Sequence, residues 1–271
     1  MKTLVNRILE LIGQSEGTWG IVLEDLDLGE RWELNGEDLF YAASVIKVPI
    51  MATIFNTSEH GETALTDLIV LKQDDLVGGS GVLQHLTPGT ALSIKDIIML
   101  MIIQSDNTAT NILIDLVGVD NIVHTMKEIG MEKSTFYNKL MMNNPNPKGF
   151  NQITPNDISK LLKQMTTGEL VSAEASDQMI GIMKKQQIKD CLPEKLPSPY
   201  SNFNNGMTAW ELAHKTGWIP GTRHDVGIFY VGQRKLIATV LSKDVDDLLS
   251  KRILTEIGEE IYNYLQEGAI C

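Results

Sequence analysis

Two side chains in the segment Phe40-Tyr-Ala-Ala-Ser-Val-Ile-Lys-Val-Pro have types and a spacing that could do covalent chemistry: Ser44 and Lys47. On a helix this spacing places hydroxyl and amine on one face, a turn apart. A serine at the start of a helix also sits in the positive field of the N-terminus. Burial lowers the proton affinity of a lysine, and a neutral amine can accept the proton of a serine hydroxyl. The implied chemistry is acyl transfer, with Ser44 as nucleophile and Lys47 as its base. Pro49 in the second turn frees a backbone carbonyl of the turn before it. Taken alone, the tetrapeptide has a plainer reading, with Ser44 as a helix cap and Lys47 in solvent.

Two further groups extend the pattern. Ser105-Asp106-Asn107 falls between two apolar helical stretches. It could be only a turn and cap. It could also supply a second hydroxyl, Ser105, to pass a proton to a leaving group, and the Asn107 amide to bind a substrate carbonyl. Lys215-Thr216-Gly217 falls at the end of a predicted strand. On an edge strand, a Lys-Thr pair can hold an anionic group, and glycine lets a ligand approach the backbone. Arg223, six residues beyond Gly217, is a candidate carboxylate anchor or a structural arginine.

The elements that must position these groups follow from hydrophobic periodicity. Leu4, Val5, Ile8, Leu9 and Ile12 predict an amphipathic helix over residues 3–13. A hairpin follows, with strands either side of the turn Asp27-Leu-Gly-Glu. Helices are predicted over 44–56, 94–104, 108–117, 120–129, 155–166 and 173–186. Residues 131–153 carry several Asn, Pro and Gly and predict a long irregular loop, of the kind that usually serves function. A polar, Pro-rich linker is predicted over 190–205. Strands are predicted over 210–216, 226–231 and 236–241, and a last helix carries Leu249, Ile253, Ile257, Ile261 and Leu265 on one face. Strands at both ends and helices between them predict a mixed α/β (α+β) chain. An antiparallel sheet flanked by the terminal helices forms one lobe, residues 1–50 and 206–271, and residues 51–205 form an all-helical lobe. The whole forms a single catalytic unit with its site on the seam.

Composition removes several function classes. The chain has 271 residues, 43% hydrophobic and 21% charged, with a net charge of −12. It shows no run of Lys or Arg longer than Lys184-Lys185, so neither nucleic acid nor an anionic membrane is an expected partner. The five histidines and two cysteines, Cys191 and Cys271, have no metal-ligand spacing. No metal and no cofactor are expected, and the expected state is a monomer. Arg7 and Glu10 interrupt the apolar stretch at the N-terminus, so no signal peptide is visible. The chain as written is expected in the cytoplasm, or outside it if a leader has been removed.

The order Ser44-x-x-Lys47, Ser105-Asp106-Asn107, Lys215-Thr216-Gly217 resembles the signature of class A β-lactamases and penicillin-binding proteins. The resemblance extends to the Phe40–Pro49 segment, the helix-turn-helix over 94–117 and Thr154-Pro155 after the long loop, and so covers nearly the whole chain. It implies the β-lactamase/transpeptidase-like fold and a small-molecule substrate bearing a carboxylate. Ser44 would then be the acylated nucleophile and Lys47 its proton acceptor. Ser105 and Lys215 would relay protons and shape the field. Asn107 would contact the substrate amide and Thr216 its carboxylate, and the amides of Ser44 and Trp218, beside Gly217, would form the oxyanion hole.

The long loop departs from the family pattern. Class A enzymes carry there a glutamate that activates the deacylating water. From Ser134 to Thr154 this chain has no Asp or Glu, and the family position falls near residues 140–142. Asn143 or Asn144 matches the loop asparagine that helps hold the water. General-base assistance is worth roughly 10²–10⁴ in rate, so the expectation is slow turnover of penicillins, or a related amide or ester substrate whose acyl-enzyme deacylates by another route. A sensor-like protein that stays acylated, or a non-hydrolytic binding protein on the same fold, is the alternative.

Overall fold

The computed structural model describes residues 1–141, 148–199 and 210–267. Helix α1 (Lys2–Ile12) buries Leu4, Ile8 and Ile12, four residues apart on one face. Strands β1 (Thr18–Asp25) and β2 (Glu30–Leu34) form the expected hairpin. The chain then crosses the sheet through the short β3 (Phe40–Tyr41) and a single 3₁₀ turn, Ala43–Ile46, into helix α2 (Lys47–Glu59). Ser44, the predicted first residue of this helix, thus lies in the 3₁₀ turn before it, and the helix itself begins three residues later, at Lys47. Pro49 falls in the first turn of α2, where its missing N–H has little effect. The carbonyl of Pro49 accepts the Thr53 hydroxyl at 3.0 Å.

Strands β4 (Leu68–Val70) and β5 (Ala91–Ser93) pair in a small ribbon absent from the sequence reading. Helices α3 (Ile94–Ile103), α4 (Asn107–Val117) and α5 (Val119–Ile129) follow close to their predicted bounds. Ser93 caps α3 and Asp106 caps α4, each side chain accepting the third backbone N–H beyond it. The long loop runs on to β6 (Gln152–Ile153), which pairs with β3. Helix α6 (Pro155–Thr167) has Thr154 as cap and proline at its first position, and α7 (Ala173–Met183) ends earlier than predicted.

Strands β7 (Trp210–Ile219), β8 (Thr222–Val231) and β9 (Arg234–Lys243) are longer than predicted, and α8 (Asp247–Glu267) closes the chain. The sheet order is β2-β1-β9-β8-β7, antiparallel throughout. Lys215-Thr216-Gly217 therefore lies inside an edge strand, not at its end. The extension of β7 places Trp218 opposite Arg223 across the ladder.

One face of the sheet, with Ile21, Leu23, Phe229, Leu236 and Val240, packs against α1 and α8. The other, with Val226, Ile228, Ile237 and Leu241, joins a second core formed by the remaining helices. Burying each large side chain fully stabilises by about 1.5–3 kcal/mol, so the two cores hold β7 firmly against the 3₁₀ turn. The predicted polar linker over 190–205 needs correction within its described part. Cys191, Leu192 and Pro193 are buried, because this stretch packs between Asp225 of β8 and Gly258 of α8.

Candidate active site

Four separate segments bring the candidate side chains together. The 3₁₀ turn carries Ser44, the first turn of α2 carries Lys47, and the α3–α4 junction carries Ser105 and Asn107. Edge strand β7 carries Lys215. Lys47 Nζ lies 3.0 Å from Ser44 Oγ, 3.0 Å from Ser105 Oγ, 2.9 Å from Asn107 Oδ1 and 2.7 Å from the Ser105 carbonyl. Lys215 Nζ donates to Ser105 Oγ at 3.0 Å and to the Thr216 carbonyl at 2.7 Å. Ser105 Oγ is thus shared by two lysines, both fully buried. The solvated Lys47 of the plainer reading does not occur.

Burial disfavours charge on both amines. It pushes Lys47 well below the usual lysine range, and the neighbouring Lys215 pushes it further, against the opposing pull of Asp106. Burial brings Lys215 down to about 7, against the pull of Asp225. A neutral Lys47 amine has one lone pair and two N–H donors, so it can accept the Ser44 hydroxyl proton while donating to oxygens around it.

The α3–α4 junction is held by Asp106. Its Oδ1 accepts Ala109 N at 2.9 Å, and its Oδ2 accepts Val82 N at 2.6 Å and Leu83 N at 2.8 Å. Ser105 has φ of 52°, a left-handed conformation that aims its side chain at the lysines. Such strain persists where surrounding contacts over-determine it. The run Gly78-Gly79-Ser80-Gly81 lies against the junction. Ser80 O accepts Asn107 N at 3.0 Å, and Gly78 O accepts Asn107 Nδ2 at 3.2 Å. A Cβ on Gly81, whose φ is +108°, would stand 2.2 Å from Asp106 Cγ. Gly217 serves the opposite wall: a Cβ there would lie 3.2 Å from Ser44 N, so β7 runs directly past the Ser44 amide.

Ser44 opens on a two-part cleft. A cavity of about 270 Å³ runs past Ser105 and Thr216 to Asp190 and Arg223. A second, of about 440 Å³, is walled by Tyr41, Leu140, Met141, Phe150 and Trp218. Arg223 stands over the Trp218 indole at 5.7 Å, with Nη1 3.8 Å from Asp190 Oδ2. Thr216 is buried at the cavity wall.

The long loop is pinned near the site. Leu140 N donates to Asn111 Oδ1 at 2.8 Å, and Asn111 Nδ2 donates back to Leu140 O at 2.9 Å. Asn151 Oδ1 accepts Tyr137 N and Asn138 N, while Asn151 Nδ2 donates to Asn138 O. Leu140 and Met141, within the stretch where the resemblance puts the family's carboxylate, present apolar side chains to the cleft. Asp157, just beyond the loop, is engaged by Ser134 N, Ser134 Oγ and Lys133 N. Asn143 and Asn144 lie outside the described residues. Among the described residues no group of three or more His, Cys, Asp or Glu could hold a metal ion. No helix there is long and apolar enough to cross a membrane.

The sequence reading missed Ser80, which lines both parts of the cleft, and Asp190. The glycine run around Ser80 was a legible signal of close backbone approach. Asp190 had none, since its position depends on how the 190–193 stretch wedges against β8.

The model of the beta-lactamase enzyme family matches residues 3–265. The chain is 25% identical over 250 residues to beta-lactamase BRO-1 of Moraxella catarrhalis, covering 88% of this chain and 77% of that one. The beta-lactamase of Sphaerobacter thermophilus is 30% identical, with a TM-score of 0.87 and 97% of each chain covered. A variant of PBP-A, solved as an acyl-enzyme complex with penicillin G, is 27% identical with a TM-score of 0.82, covering 98% of this chain and 97% of that one. With its serine and two buried lysines on this fold, the chain belongs to the beta-lactamase enzyme family, as a serine hydrolase of class A type.

Proposed function

We propose that Ser44 forms an acyl-enzyme with β-lactams and that this acyl-enzyme is released slowly. The observation that carries the reading is the buried Lys47 amine within hydrogen-bond distance of both Ser44 Oγ and Ser105 Oγ. Lys47 takes the Ser44 proton as Oγ attacks the lactam carbonyl. The developing oxyanion points at the amides of Ser44 and Trp218. As the C–N bond breaks, the leaving nitrogen takes a proton from Ser105, which Lys47 replaces, so the amine ends neutral and the acyl group rests on Ser44. Lys215, Thr216 and Arg223 attract the substrate carboxylate, and Asn107 holds the amide side chain. The site lies on the seam between the sheet lobe and the helical lobe of one catalytic unit.

Deacylation needs a base for water, and residues 134–154 contain no carboxylate. Intact-mass spectrometry after mixing with benzylpenicillin tests both halves. The expected result is an adduct on Ser44, absent in Ser44→Ala, that decays slowly. Leu140→Glu puts a carboxylate beside the cleft and should shorten the adduct lifetime by about 10²-fold or more. Rapid turnover by the unaltered chain would sink the slow-release reading, and absence of any adduct would sink the acyl-enzyme reading. The same missing carboxylate favours a second reading, a penicillin-binding sensor, which an adduct persisting for hours would support.

A further inference from the structure

We infer that Asp190 determines how well the cleft accepts anionic ligands, because its carboxylate and a ligand's carboxylate compete for the guanidinium of Arg223. The inference rests on the proposal above that Arg223 anchors a substrate carboxylate. Asp190 and Arg223 line the same cavity as Ser44 and Thr216. Asp190 Oδ2 is 3.8 Å from Arg223 Nη1 and 3.4 Å from Lys251 Nζ. Lys251 is itself shared, lying 3.9 Å from Glu194. Two cations therefore face two carboxylates, and Asp190 cancels the charge of Arg223 just where a ligand would need it.

The backbone around Asp190 is fixed, so only its side chain can move. Its neighbour Leu192 donates its backbone N–H to the buried Asp225 at 3.1 Å, and Gln187 N donates to Ile103 O at 3.1 Å. These bonds fix the segment on both sides of Asp190. Its side chain keeps 43% exposure while that of Arg223 keeps 13%. Asp190 can thus shift onto Lys251 when an anion takes the guanidinium, at the cost of its attraction to Arg223. The cleft should consequently bind neutral ligands with no such cost and carboxylates against it.

The test compares non-covalent affinities of benzylpenicillin and its neutral methyl ester, measured by calorimetry in the Ser44→Ala chain. Adding Asp190→Asn should tighten benzylpenicillin about tenfold, as removal of a unit charge near 4 Å in a partly solvated site implies. The ester should be unchanged. Adding Lys251→Met instead should leave Asp190 wholly on Arg223 and weaken benzylpenicillin alone. An unchanged ratio of the two affinities in Asp190→Asn would overturn the inference. A loss of benzylpenicillin affinity would overturn it too, making Asp190 the residue that positions Arg223. The nucleophile is absent from this measurement, so a failure of the acyl-enzyme reading shows separately, as no Ser44 adduct in the unaltered chain.

Discussion

At the scale of residues, the proposed acylation turns on two buried amines with different duties. In that proposal Lys47 must be neutral to take the Ser44 proton, whereas Lys215 attracts an anionic substrate only while charged. Lys215 titrates near pH 7. The second-order acylation rate for benzylpenicillin should therefore fall as pH rises through about 7, and the rate for its methyl ester should not. Lys215→Arg, which keeps its charge at every accessible pH, should remove that falling limb, and stopped-flow acylation rates against pH would show it. The same shift acts on stability with a definite sign. The folded chain holds the Lys215 proton less tightly than the unfolded chain, so burial of Lys215 destabilises most below pH 7. The penalty shrinks between about pH 7 and 10.5. Replacing buried ionic groups by apolar ones of similar volume often stabilises by about 1–4 kcal/mol. Lys215→Met should accordingly raise the melting temperature at pH 6 more than at pH 9.

At the scale of elements, glycines mark where backbone meets backbone. Gly258 lies within α8, where alanine would ordinarily be favoured by about 1 kcal/mol. A Cβ there would come within 1.9 Å of the Leu192 carbonyl oxygen. Gly258→Ala should therefore destabilise, by about 1–3 kcal/mol as overpacking does, and urea denaturation would give the sign directly. The helix would have to lift from the segment that holds Asp190. Among these elements the hairpin and the existence of the helices were legible in the sequence, since alternation and 3.6-residue periodicity act locally, whereas the start of α2 and the end of α7 were not. The two-residue β3 and β6 were not, because Phe40–Ile153 pairing joins segments far apart and neither is long enough to show a period.

At the scale of the whole molecule, His224 ties the sheet to the approach of the nucleophile. Its Nε2 donates to Tyr41 O at 2.8 Å, and its Nδ1 accepts Ser242 N at 3.2 Å. Burial pushes its pKa down to about 4. Here the unfolded chain takes up the proton first as pH falls, so the neutral ring contributes stability that is whole above about pH 6.5. That stability is lost progressively down to about pH 4. The loss from this group alone amounts to about 3 kcal/mol. Denaturation at pH 7 and pH 4 should show a smaller pH dependence by roughly that amount in His224→Asn. A variant with the full acid sensitivity retained would place the titration elsewhere.

The sequence by itself determined which groups exist and in what order. Ser44, Lys47, Ser105 and Lys215 were legible because the motifs are short and local, and the absence of Asp and Glu from residues 134–154 needs no coordinates. It also determined the mixed fold, through strands at the ends and apolar-faced helices between them. Tertiary structure alone decided that Lys47 and Lys215 share one serine hydroxyl, since their depressed proton affinity comes from burial by elements distant in the chain. It alone set Asp190 against Arg223, because that contact depends on a nominal linker being wedged between α8 and β8. Types and spacings are written residue by residue, whereas solvent exclusion and charge proximity arise only when the sheet and the helical core close around the cleft.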